Sequence, residues 1–212
     1  MSNFRHRLRT GVVAVIMSGV LTAEALTMGL GSFAYAADKV SIPQSGLIAD
    51  YSFAQAPQDG KTVLNNATGS GAAGPAVVQN ETTAKWEDKA LLFSGLGTSV
   101  SSPTGTWVSL PNDILSGKTS ATVNIEVKPS ASIVTKNHFL WSIGNSATDT
   151  YWFANTLAPR SSIKYGGTEK TAQSAAKLAP DRWYSLTSVI DAEAHTISFY
   201  VDGVKVGETA ES

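Results

Sequence analysis

The stretch Ala121–Pro129 alternates apolar and polar residues at period two. Val123, Ile125 and Val127 fall on one side; Thr122, Asn124, Glu126 and Lys128 fall on the other. Only an extended chain sorts residues this way, because successive strand side chains point to opposite faces. A strand with one apolar face must bury it against a second layer, so the pattern constrains the whole architecture. Pro129 ends the run, since proline has no N–H to give to a ladder.

The same grammar recurs along the chain. Strands are expected at residues 47–53, 62–64, 76–78, 90–93, 107–110, 122–127, 139–143, 150–153, 163–165, 182–190, 196–201 and 204–206. Gly, Pro, Asn and Asp punctuate them. Asp202 and Gly203, between Val201 and Val204, predict a hairpin with a type I′ turn. Residues 112–116 read as one helical turn. Residues 168–178 hold alanines and lysines without helical spacing and read as loop or irregular strand. A dozen short strands without a long helical pattern predict an all-β fold, an antiparallel β-sandwich of jelly-roll type.

Residues 1–36 read as an export leader. Arg5, His6, Arg7 and Arg9 form a basic start, residues 12–23 are uncharged and mostly apolar, and Ala34, Tyr35 and Ala36 make a small-x-small cleavage site. The apolar run is too short for a stable membrane span, which needs about 20 residues. The expected localisation is secreted. Residues 37–45 are a lead-in, and residues 46–212 form one domain.

Three of the 16 basic residues and one of the 17 acidic residues lie in the leader, which leaves the remainder with a net charge of −3. No basic stripe exists, so nucleic acid is not an expected partner. There are no cysteines. An exported domain without disulfides rests on its packed core, with or without a metal ion.

Catalytic motifs are not found. Asp191 and Glu193 are the nearest approach to paired glycosidase carboxylates, and they fall at a turn; Glu126 is alone on its strand. The Gly-Lys-Thr tripeptides at residues 60–62 and 117–119 lack the glycine five positions earlier that a phosphate loop needs. His138 and His195 have no ligand-spaced partners.

Several blocks taken in order carry a family likeness: residues 46–53, the turn and Gly-rich loop at 59–71, residues 90–95, 108–111, 121–129, 181–184 and 199–203. Together they resemble the bacterial laminin-G-like, concanavalin A-like jelly-roll modules. The likeness implies a final strand after the 201–204 hairpin that pairs near the opening strand. The chain stops at Ser212, so the sandwich is expected to lack that strand, to expose an apolar edge at residues 47–53 and to be marginally stable.

What the resemblance implies about function is a non-catalytic module that binds a polysaccharide or other glycan. Its expected partner is a downstream catalytic domain of the same polypeptide, a glycoside hydrolase of family 43 arabinofuranosidase or xylosidase type, with sialidases second. The alternative is a structural module that packs on a catalytic domain and binds no sugar. Related modules hold a structural calcium ion, for which Asp50, Asp59, Asn65 and Asn66 are the candidate oxygen donors here. Sugar recognition calls for an aromatic platform with polar neighbours. Trp152, flanked by Tyr151 and Phe153, is the expected platform, with Arg160 and Tyr165 beside it. Trp141 and Trp183 read as core.

Overall fold

The structure is a computed structural model and describes residues 6–9, 15–16, 46–93 and 105–210. The strands are β1 (His6–Arg9), β2 (Val15–Ile16), β3 (Thr62–Val63), β4 (Ala76–Gln79), β5 (Lys85–Glu87), β6 (Ala90–Phe93), β7 (Trp107–Ser109), β8 (Ala121–Pro129), β9 (Phe139–Asn145), β10 (Thr150–Asn155), β11 (Arg160–Tyr165), β12 (Lys170–Gln173), β13 (Tyr184–Asp191), β14 (Thr196–Val201) and β15 (Val204–Ala210). They form three sheets. The largest has the order β15-β14-β13-β8-β1-β6-β5, with β2 also on β8; the others are β12-β11-β10-β9 and β3-β4-β7. The described pairings between strands are antiparallel.

Strand β8 buries alternate residues along its whole length, as its sequence pattern requires. Its neighbour β13 sets Leu186 opposite Ile125 and Ser188 opposite Val123, and β14 sets Phe199 opposite Ser188. Val123, Ile125, Val127, Leu186, Ile197 and Phe199 therefore share one face, and all are buried in the core. The other sheets meet them with Trp152, Ala154 and Ala172, and with Val63, Ala76 and Val78. Burying one such aliphatic or aromatic side chain contributes roughly 1.5–3 kcal/mol.

The 201–204 hairpin forms as expected, with Asp202 and Gly203 both at positive φ. Other elements differ. Residues 47–53 are not a continuous strand: they carry isolated bridge positions at Leu47 and at Tyr51, the latter to Asn65. Loop backbone and side chains together serve it: the Asn66 and Ala73 N–H groups donate to the carbonyls of Asp50 and Ile48 at 2.8 and 2.7 Å. Asn65 Oδ1 accepts from the Asp50 N–H at 2.8 Å, Asn65 Nδ2 donates to the Ile48 carbonyl at 2.9 Å, and Tyr51 Oη donates to the Gly74 carbonyl at 2.6 Å. The expected exposed edge is also overturned, since Leu47, Ile48, Ala49, Tyr51 and Phe53 are buried. Strand β5 is an unexpected partner of β6 across a turn with Asp88 and Lys89 at positive φ. The irregular 168–178 region contributes β12, and β15 runs four residues past its expected end.

The expected leader contributes a strand. Residues 6–9 lie between β6 and β8 and pair with both.

Candidate functional site: the outer face of the four-stranded sheet

The sheet β12-β11-β10-β9 has two unlike faces. Toward the core point Trp152 and Ala154, paired in register with Ile143 and Trp141 on one side and with Ile163 and Ser161 on the other. The indoles of Trp141 and Trp152 meet edge to face, with centroids 4.8 Å apart. Trp152 Nε1 donates to Ser161 Oγ at 2.8 Å.

The opposite face carries Tyr151, Phe153 and Asn155 of β10. Their cross-strand partners on β11 are Lys164, Ser162 and Arg160. On β9 they are Gly144, Ser142 and Phe139, the last brought into line by a register shift between Ala154 and Asn155. The result is an aromatic ridge. Phe139 meets Phe153 edge to face at 4.9 Å, Tyr151 lies 5.9 Å from Phe153, and the Arg160 guanidinium stands 5.9 Å over the Phe153 ring. Phe153, at the centre, is buried, while Phe139 is 56% exposed.

A polar rim holds the ridge. Tyr151 Oη donates to Glu169 Oε2 at 2.9 Å, and this hydrogen bond is the main reason the phenol pKa is raised. Lys164 Nζ lies 2.9 Å from Asp149 Oδ1, which raises the ammonium pKa. The hydroxyls of Ser162 and Thr171 are hydrogen-bonded at 2.8 Å. Near its end β9 demands Gly144: its φ is +99°, and a Cβ there would stand 2.3 Å from the Thr150 carbonyl oxygen.

The three residues expected to bind sugar do not come together. Trp152 is 3% exposed, and the reading of it as a platform is corrected: its ring is core, and its one polar atom is satisfied by Ser161. Arg160 does lie on the outer face. Tyr165 is 82% exposed but shares the parity of Ile163, on the far end of the strand. Trp141 packs against the core as expected, and Trp183 is half-buried. Reasoning from sequence missed Phe139, Tyr151 and Phe153. The available signal was period two from Tyr151 to Phe153, in phase with Arg160 and Lys164 across the hairpin.

The four expected calcium donors do not fit the ion. Asn65 uses Oδ1 on the N–H groups of Asp50 and Ala67, and Nδ2 on the carbonyls of Ile48 and Ala73. The Asp59 carboxylate accepts from the Lys61 and Thr62 N–H groups and the Thr62 hydroxyl, which holds its pKa down to about 2. Asp50 and Asn66 remain, against the six to eight oxygens calcium takes. Among the described residues, no group of three or more His, Asp or Glu side chains is placed to hold a metal. Near Asp59 an open cleft of about 740 Å³ is lined by Ser52, Gln55, Thr62 and Leu64 among others, but its carboxylate is already committed to its own turn.

Asp50 is a liability of the fold. Its Oδ1 is buried without a hydrogen-bond partner, and burial raises its pKa above 3.8 despite a bond from the Asn66 side chain. A carboxyl raised in the folded state costs stability at pH above its folded pKa, and that cost vanishes as pH falls below 3.8. Asp50→Asn is therefore expected to raise Tm at pH 7 by about 2–4 °C, the equivalent of about 1 kcal/mol. Melting curves at pH 7 and pH 3.5 check this; the gain should be gone at the lower pH.

Antiparallel sheets built around one core define a concanavalin A-like β-sandwich. A sequence model of the concanavalin A-like lectin/glucanases superfamily matches residues 102–212, just over half of the chain, and the chain belongs to that family. The match covers β7 to β15 and so contains the whole outer face. No curated protein and no solved structure matches the chain. No helix among the described residues is long and apolar enough to cross a membrane.

Proposed function

We propose that this chain is a non-catalytic carbohydrate-binding module and that the outer face of β9–β12 is its binding surface. The observation that carries the reading is the ridge of Phe139, Phe153 and Tyr151 with Arg160 above it. An exposed ring on a sheet face suits the apolar face of a pyranose, and fixed polar neighbours suit its hydroxyls. Phe139 offers the ring; Arg160, Lys164 and the Tyr151–Glu169 pair offer the polar contacts. In the full reading the module is exported on residues 1–36 and tethered to a glycoside hydrolase of arabinofuranosidase or xylosidase type, or a sialidase. It raises the local concentration of that active site at a polymer surface.

Affinity electrophoresis in gels cast with arabinoxylan, arabinan or a sialylated mucin tests this. At least one polymer should retard the chain. Phe139→Ala and Tyr151→Ala should each weaken retardation about tenfold, roughly 1.4 kcal/mol for one aromatic contact. Retardation that survives both substitutions would move binding off this face. No retardation in any of the gels would favour the structural module that packs on a catalytic domain.

A further inference from the structure

One row of the outer face holds a cation that the fold does not use. Across the four strands the row runs Phe139, Asn155, Arg160 and Gln173, each paired in register with the next. Phe139 and Gln173 are exposed, Arg160 is half-buried and Asn155 is fully buried. Asn155 Nδ2 donates to Asn137 Oδ1 at 2.6 Å, but its own Oδ1 is buried without a donor. Arg160 Nε is buried without an acceptor. A buried polar atom left unpaired costs free energy. Here a lone donor and a lone acceptor occupy directly paired positions of β10 and β11.

The other charges of this face are committed to partners. Lys164 pairs with Asp149, and Glu169 accepts from Tyr151 and Thr171, all toward the opposite end of the strands from Arg160. Among the described residues no carboxylate forms an ion pair with Arg160. Its guanidinium stands over the Phe153 ring at 5.9 Å, and the exposed Phe139 ring meets that same ring at 4.9 Å. An aromatic platform and an unspent planar cation thus flank one buried ring. The fork of a guanidinium matches a carboxylate through two parallel hydrogen bonds. The whole chain has a formal charge of −1, so its net charge does not draw polyanions, and a local cation must select them.

We propose that the Arg160 end of the outer face selects a hexuronic acid residue of an acidic polysaccharide. The inference rests on the carbohydrate-binding reading of this face and names the class of its ligand. The pyranose lies on Phe139, and its carboxylate takes the two terminal amino groups of Arg160. Nε–H then turns to Asn155 Oδ1, which gives both buried atoms a partner. The carboxyl of D-galacturonic or D-glucuronic acid is equatorial and projects sideways from the ring, toward a group beside the platform. In an α-linked sialic acid it is axial and points off the ring face, so a sugar stacked on Phe139 would direct it away from Arg160.

Calorimetric titration of the chain of residues 1–212 with trigalacturonic acid and with its methyl ester tests this, because the two share every ring and differ in charge. The acid should bind at least about tenfold tighter than the ester. Arg160→Gln should bring the two affinities together. Arg160→Lys, which keeps the charge without the fork, should lose most of the difference. Phe139→Ala should weaken acid and ester alike, and Lys164→Gln should keep the preference for the acid. Melting curves establish that each variant is folded in the titration. Equal binding of acid and ester, or a preference for the acid that survives in both Arg160 variants, would overturn the proposal while the carbohydrate-binding reading stands. So would binding of neither trimer by a chain that arabinoxylan or arabinan retards. Tighter binding of sialyllactose than of the acid would assign the cation to the other sugar acid and overturn the proposal as well. No binding to any of these glycans would remove the carbohydrate-binding reading and this inference together.

Discussion

Gly207→Ala is expected to lower stability by about 3 kcal/mol or more, the upper end of what overpacking costs. Strand β15 crosses the edge of β12 so closely that a Cβ on Gly207 would lie 2.4 Å from the Gln173 nitrogen and 2.6 Å from its carbonyl oxygen. Both are backbone atoms, so no side-chain rotation relieves the clash. Strand β12 cannot retreat freely, because Ala172 is fully buried and residues 170–173 are paired with β11. The strain then falls on β15, next to the register shift between Phe199 and Tyr200. For a chain of this size the loss corresponds to a fall in Tm of about 6–12 °C. Gly167→Ala is the control: its nearest foreign atom is 3.9 Å away, and the change should stay within about 0.5 kcal/mol. A Gly207→Ala chain that melts with its parent would mean the two strands separate without cost.

The elements legible in the sequence are those with one buried face and one wet face. Strand β8 is the clearest, and β13 follows because it repeats the same alternation against it. The hairpin at Asp202 and Gly203 was legible because its turn needs positive φ at both positions. Residues 47–53 alternate as well as many strands do, yet their backbone is met by the Asn65 side chain and by the N–H groups of Asn66 and Ala73 in the following loop, not by a neighbouring strand. No local pattern announces that. Strand β5 is three residues long with only Trp86 turned inward, too little for a period to show. Strand β15 extends beyond expectation because it lies at the sheet edge, where polar residues such as Lys205 and Glu208 pair with each other and remain exposed.

The site was less legible for a related reason. Tyr151, Trp152 and Phe153 follow one another, so hydrophobicity does not say which parity faces the core, and a slip of one residue exchanges the faces. The parity is set from a distance. Ser161 is small, lies across the ladder from Ala154, and accepts the indole N–H, so the core has room and a partner for Trp152. Phe139 joins the ridge only through the shift at Ala154 and Asn155, which moves it into line with β10 residues of the opposite parity. Arg160, expected beside Trp152, lies instead on the opposite face, across the ladder from Asn155.

Trp152→Ala should separate core from platform. Truncating an aromatic side chain this deeply buried is expected to cost about 3–5 kcal/mol. Three losses add: the cavity left by the ring, the edge-to-face contact with Trp141, and the Ser161 hydroxyl left buried without the indole N–H. Trp152→Phe retains much of the ring volume and should cost less, chiefly through that unpaired hydroxyl. Phe139→Ala is the converse case. Its ring is more than half exposed, so stability should change by less than about 1 kcal/mol while affinity for the polymer falls about tenfold. Measured together, by urea denaturation and by affinity electrophoresis below the transition, the two substitutions should give crossed results. Trp152→Ala should unfold at much lower urea yet bind while folded; Phe139→Ala should unfold with its parent and bind poorly. The reverse pattern, a stable Trp152→Ala chain that has lost its ligand, would return the binding surface to the Trp152 side of the sheet and remove the outer face from consideration.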